Sequence, residues 1–168
     1  MQSSGTPIIF DFININHGAG NKIPEIRIEL NHCVCHSGSI QSRLIIAANI
    51  QQENLLRIYL VNKVPSDTEV NEQNEIIGDM NFELANITAE NITFDELLWN
   101  GRYVAGNDVY DSCLFFGPQG FYELTFQSPV LKHKLQQKFE RGELDAHWQE
   151  DYNYYTDACE ILKKLSIR

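Results

Sequence analysis

The sequence predicts a mainly β protein, an antiparallel sandwich or jelly roll followed by a helical tail. Three observations predict it. Short segments alternate apolar and polar residues with a period of two across the first two-thirds of the chain. Glycine-, asparagine- and proline-rich turn signals separate them. After Pro129 the period changes from two to that of a helix. Many short strands at such spacing fit two packed antiparallel sheets.

Ile8 to Ile15 is the first expected strand, with Phe10, Phe12 and Asn14 on one face and Ile9, Ile13 and Ile15 on the other. His17-Gly18-Ala19-Gly20-Asn21 is a turn. Ile26-Arg27-Ile28-Glu29-Leu30 alternates cleanly, which predicts a strand with one wet face. Arg43 to Ala48 and Leu55 to Val61 are two further strands, and the short stretch Asn49 to Asn54 predicts a hairpin between them. Asn62 to Gly78 is the longest polar stretch and reads as a loop. Beyond it, Met80 to Ile87 is a strand with Phe82, Leu84 and Asn86 on one face, and Asn91 to Phe94 is a short one. Cys113 to Phe116 and Phe121 to Phe126 flank the turn signal Gly117-Pro118-Gln119-Gly120.

Ser128 is suited to cap a helix and Pro129 to its first position. Val130, Leu131, Leu135 and Phe139 make its apolar stripe, which ends near Gly142. A second helix is predicted from about Glu143 to Leu165. In it Trp148, Tyr152, Tyr155, Cys159 and Leu162 recur at spacings of 4, 3, 4 and 3 residues, a heptad-like seam suited to assembly. The expected division is therefore a sandwich over residues 1–128 and a docking or assembly tail over 129–168.

At 168 residues the chain can bury one core, and 43% hydrophobic with 21% charged residues is ordinary for a folded protein. A net charge of −10 argues against nucleic acid or an anionic membrane surface as the main partner. No apolar run has membrane-spanning length, so no membrane insertion is expected. No basic segment precedes an apolar one at the N-terminus, so no secretory signal peptide is expected. The expected home is a cytoplasm, or a particle packaged from one, with all four cysteines reduced. Asn86-Ile87-Thr88 and Asn91-Ile92-Thr93 fit the glycosylation pattern but read as strand residues in that setting.

Several patterns carry candidate chemistry. In His32-Cys33-Val34-Cys35-His36 a strand would point Cys33 and Cys35 one way and both histidines the other, which favours thiols in a core over a zinc site. The stretch Asp67 to Asp79 holds five carboxylates. Asp67, Glu69 and Asp79 are candidate calcium ligands, although the spacing fails the EF-hand pattern, with Glu72 and Gly78 at positions that need glycine and glutamate. Trp99, Arg102, Tyr103 and Tyr110 are candidate binding residues, because aromatic faces stack on sugar rings; Trp99, in a turn-like context, is the preferred exposed one. Asp95 and Glu96 are adjacent and would diverge rather than flank one bond. No nucleophile-elbow, zincin or phosphate-loop motif is present, so an enzyme is not expected.

One ordered set of weak motifs supports a resemblance. It runs Asn62-Lys63, Asp67-Thr68, an acidic loop to Asp79, then Leu98-Trp99, Gly101 and Tyr103, and closes on Gly117, Gly120, Tyr122, Leu124, Phe126, Ser128 and Pro129. This order, over about Ile8 to Leu135, resembles small proteins common in tailed-phage genomes, which are similar to calcium-dependent carbohydrate-binding modules. The resemblance implies a jelly-roll β-sandwich. It implies a virion structural protein of the tail, baseplate or capsid surface, which binds other virion proteins, copies of itself or a glycan. The alternative is a free calcium-dependent carbohydrate-binding protein. The chain departs from the pattern at His133 and Lys134, where an aromatic is expected, in a short Val104 to Asp111 segment, and in the tail after Phe139.

Overall fold

The computed structural model describes residues 5–166, with side chains described as far as Glu160. The protein is mainly β, with antiparallel sheets and a C-terminal helical segment. In chain order the strands are β1 (Thr6–Asn16), β2 (Glu25–Leu30), β3 (Cys33–Ser39), β4 (Arg43–Ala48), β5 (Glu53–Leu60), β6 (Thr68–Val70) and β7 (Ile76–Asp79). They continue with β8 (Asn81–Ala89), β9 (Ile92–Thr93), β10 (Arg102–Ala105), β11 (Asp108–Asp111), β12 (Phe115–Phe116) and β13 (Gly120–Gln127). Two helices complete the chain, α1 (Val130–Glu140) and α2 (Trp148–Ser166).

One sheet has the order β12-β8-β1-β4, with β9 on β8; the other runs β11-β10-β13-β5-β2-β3; β6 and β7 form a separate two-stranded ribbon. The two larger sheets share one core. Ile26, Ile28, Leu56, Ile58, Tyr122 and Leu124 point into it from the six-stranded sheet, and Ile8, Phe10, Phe12, Phe82, Leu84 and Ile87 from the other. Burial on every second residue of β2 and β5 is the alternation visible in the sequence. Phe82 stacks on Phe116 at 4.4 Å and meets Phe12 edge-on at 5.5 Å, a packing that fixes the register between strands as well as burying area.

Four expectations are corrected. Asn49 to Asn54 does not close a hairpin: β4 pairs with β1 and β5 with β2 and β13, so the chain crosses between sheets there. The side chain of Asn54 supports that crossing, accepting from the Gln51 amide at 2.8 Å and donating to the Gln51 carbonyl at 2.7 Å. In β1 the alternation breaks at Asn14, whose φ of 50° turns Ile15 back to pack against the core and leaves Asn14 exposed. The polar stretch Asn62 to Gly78 is not simply a loop, because it contains the β6–β7 ribbon. Finally, α2 starts at Trp148 rather than near Glu143, with the Asp145 carboxylate accepting from the His147 amide just before it.

The chain divides into two compact units, Met1–Val130 and Leu131–Arg168. The first reaches past the expected boundary at residue 128. The Glu90 carboxylate accepts from Ser128 Oγ at 2.5 Å and from the Val130 amide at 2.7 Å, and Val130 is wholly buried. The first free amide of α1 is therefore taken by Glu90, not by the Ser128 hydroxyl. The end of α1 is as expected. Gly142, at φ 75°, lets its amide reach the Phe139 carbonyl and the Glu143 amide reach that of Lys138, the paired bonds of a Schellman motif.

Candidate functional site

The wet face of the six-stranded sheet carries the most organised polar and aromatic surface. Its strand register lines up two rows across the strands. Asp111, Arg102, Glu123, Arg57 and Glu29 are successive partners across β11, β10, β13, β5 and β2, a ladder of alternating charge. Glu123 binds both neighbours, at 2.6 Å to Arg57 Nε and 2.8 Å to Arg102 Nη2. Burial pushes the Glu123 carboxyl up, but the bonds from Arg102 and Arg57 outweigh it and hold it below the ordinary glutamate value. The same bond raises the Arg57 guanidinium above its usual range.

The next row is Val109, Val104, Phe121, Tyr59 and Arg27. Tyr59 and Phe121 lie with ring centres 5.1 Å apart. The Arg27 guanidinium covers Tyr59 at 4.3 Å and that of Arg57 sits over Phe121 at 5.5 Å. Tyr59 donates to Glu29 at 3.0 Å, which ties the two rows together. Arg27, Tyr59, Val61, Gln119 and Phe121 border a hollow of about 540 Å³ at one end of these rows, within the range of small-ligand sites. Three arginines stand on this face, Arg27, Arg57 and Arg102, against five acids, Glu25, Glu29, Glu53, Asp111 and Glu123, so it carries no excess of positive charge.

The sequence supplies the signal for this site but not its assembly. Arg27-x-Glu29, Arg57-x-Tyr59 and Phe121-x-Glu123 each put two functional side chains on a wet face. Only the order β13-β5-β2 makes them neighbours.

The residues expected to bind do not form one surface. Trp99, in a 3₁₀ turn over Asp95–Asn100, is 55% exposed. The turn is fixed by Ser112 Oγ donating to the Trp99 carbonyl, and by a close approach at Gly101, where a Cβ would fall 2.3 Å from the Tyr122 ring. Arg102 belongs to the charge ladder. Tyr103 is core: it is 1% exposed, packs edge-on against Phe116 and donates to the Pro118 carbonyl. A ring so buried offers no face to a ligand, so Tyr103 is not a binding residue. Tyr110 pairs with Tyr103, so it lies on the opposite sheet face from Arg102, half-exposed at the sheet edge.

Nor are the three candidate calcium ligands gathered. Asp67 is buried and bound by Lys22 Nζ at 2.8 Å and by the Val64 amide at 2.8 Å. The Lys22 bond, with that amide, holds its carboxyl below the ordinary aspartate value. Gly18 is needed here, because a Cβ would lie 2.5 Å from Asp67 Oδ1. Asp79 accepts from Lys63 Nζ at 2.5 Å and from Thr68 Oγ1. Glu69, next to Thr68 on the strand, points to the other face of the ribbon. Two of the three carboxylates are thus occupied by ammonium groups. Among the described residues no group of three or more His, Cys, Asp or Glu side chains is placed to hold a metal ion.

In His32 to His36 the alternation also fails. Asn31 and His32 have φ of 52° and 66° and form the two-residue loop of the β2–β3 hairpin, so His32 is not on a strand. A bulge at Cys35 places His36 opposite the core residue Ile28. All four cysteines are free thiols, and burial raises that of Cys35.

The tail residues are likewise split. Trp148 is buried and packs against Phe139 of α1 at 6.3 Å, so it is not an open docking residue. Tyr152 and Tyr155 line a groove of about 340 Å³ with Leu131 and Cys159, and Tyr155 is 70% exposed. Leu162 falls on α2, and its side chain lies outside the described residues. No helix of the described residues is long and apolar enough to cross a membrane. Compared with family models, with curated proteins and with solved structures, the chain matches none.

Proposed function

We propose that the chain is a non-catalytic binding module whose six-stranded sheet face takes up a neutral glycan. The observation that carries this reading is the Tyr59–Phe121 pair beside a hollow of about 540 Å³, framed by a charge ladder in which Glu123 pairs with both Arg57 and Arg102. A pyranose would take the place of the Arg27 guanidinium over Tyr59, with its C–H face on the ring, and planar guanidinium and carboxylate groups would bond its hydroxyls. The ladder, with three acids to two arginines, offers no net positive charge to attract an anionic ligand. Glu123 is held as a carboxylate by Arg57 and Arg102, which suits it to accept hydrogen bonds rather than to donate protons.

The setting in this proposal is a virion, as a component of the tail, baseplate or capsid surface. It rests on the ordered motifs from Asn62 to Pro129, as does the description of the sheets as a jelly roll. Neighbouring virion proteins or further copies of the chain would contact the tail. Calcium, the cofactor the resemblance implies, has no part in this site, because the platform residues lie outside the ribbon and Lys22 and Lys63 neutralise Asp67 and Asp79. A glycan array read with labelled protein, with and without a chelator, tests the reading. Binding to neutral oligosaccharides that survives chelation and disappears in Tyr59→Ala/Phe121→Ala supports it. Binding abolished by chelation favours the calcium-dependent alternative, and binding unchanged in the double variant overturns the site.

A further inference from the structure

The β6–β7 ribbon is built unlike the rest of the sheet unit. It is a separate two-stranded sheet, so its β-branched residues have no second layer to pack on. Val70, Ile76 and Ile77 are 55%, 66% and 66% exposed, and Val70 and Ile76 are direct cross-strand partners. A two-stranded ribbon of this length is marginal alone in water. Its base is nevertheless fixed by two ion pairs whose carboxylates are largely buried, Lys22–Asp67 and Lys63–Asp79, and by the Met80 amide on the Asp67 carbonyl. Rigid presentation of an apolar strip that supports no core is the arrangement of a pre-organised docking element.

Charge selects the occupant. Between Val64 and Gly101 the chain has nine Asp or Glu and no Lys or Arg. Glu69, Glu72 and Glu75 stand around the apolar strip, all exposed. A second copy, itself at −10, would bring like charge against like. We propose that the ribbon docks an extended, basic segment of a different protein, one that alternates Lys or Arg with apolar residues. Such a segment adds as a third strand along the ribbon, continues the Val70–Ile76 row with its apolar side chains and sets its cations beside the three glutamates. This site is independent of the sheet-face platform.

The test uses the full chain, isotope-labelled, titrated with a synthetic peptide of alternating lysine and valine; the control peptide has glutamate for lysine. The expected result is amide shifts confined to residues 68–79 with the lysine peptide only, weakened by salt. Ile76→Ser/Ile77→Ser should weaken binding about tenfold or more while the charge is unchanged. Glu69→Gln/Glu72→Gln/Glu75→Gln should weaken it independently. The mutated side chains are exposed, and an unchanged melting temperature confirms that each variant is folded. Equal affinity in the serine variant would reduce the effect to general attraction and overturn the proposal. So would shifts centred elsewhere, or none at millimolar peptide.

Discussion

Asp79→Asn is the substitution that most sharply tests how the ribbon is held. In the native chain the Lys63 ammonium, 8% exposed, bonds Asp79 Oδ1 at 2.5 Å and the Met80 carbonyl at 2.8 Å. The amide keeps the shape and can still accept from Lys63 and Thr68, but it leaves a nearly buried cation without a counter-charge. Breaking one side of such a pair costs about 3–5 kcal/mol. For a unit of this size that is a fall in melting temperature of about 10–15 °C. Lys63→Met/Asp79→Asn removes both charges together with their desolvation, so it should recover most of the loss. Thermal and urea unfolding of the two single variants and the double variant measure the coupling. If Asp79→Asn melts within about 2 °C of the parent, or if the double variant loses the sum of the singles, the pair does not hold the ribbon base as described.

Three further outcomes are expected from the same geometry. Asp67 and Glu123 both titrate below their ordinary values, so when acid is added the unfolded chain takes up protons before the folded one. Their contribution to stability is complete above about pH 5 and is lost as pH falls through the ordinary values and below, which acid unfolding with Glu123→Gln as comparison will show as a smaller loss in the variant. Tyr103→Phe removes a single hydrogen bond to Pro118 and should cost about 1 kcal/mol, with glycan binding unchanged, as read by denaturant unfolding and the array. Truncation after Gly142 should leave the sheet unit folded, because Val130 is the last residue anchored by Glu90; a chain without dispersed amide resonances would contradict that.

Local alternation made much of the sheet unit legible. Ile26-Arg27-Ile28-Glu29-Leu30 and Phe121 to Phe126 reveal strand, face and burial without any partner. Pairing was not legible, because a chain that crosses between sheets at Asn49 to Asn54 looks locally like one that turns back. Local irregularities also escaped: Asn14 and the bulge at Cys35 each reverse the face of the residues after them, and nothing in the residue types requires either. The ribbon was hidden because its strands are three and four residues long and rich in charge. At the candidate site, Trp99 looked exposed and is exposed, whereas Tyr103, two residues after Gly101, is core because β10 lies between β11 and β13 rather than at the edge. The acidic stretch suggested a metal because the lysines that neutralise it come from Lys22, 45 residues before Asp67, and from Lys63, 16 before Asp79.

Glycan uptake on the six-stranded sheet face is tested most directly by a heteronuclear titration of the labelled chain with neutral oligosaccharides, run in parallel on Tyr59→Ala/Phe121→Ala. Amide shifts are expected at Arg27, Tyr59, Val61, Gln119 and Phe121, with affinity falling about tenfold for each ring removed, since an aromatic stacking contact contributes about 0.5–1.5 kcal/mol beyond the area it buries. Shifts grouped instead around Trp99 and Tyr110, or the same affinity in the double variant, would contradict it.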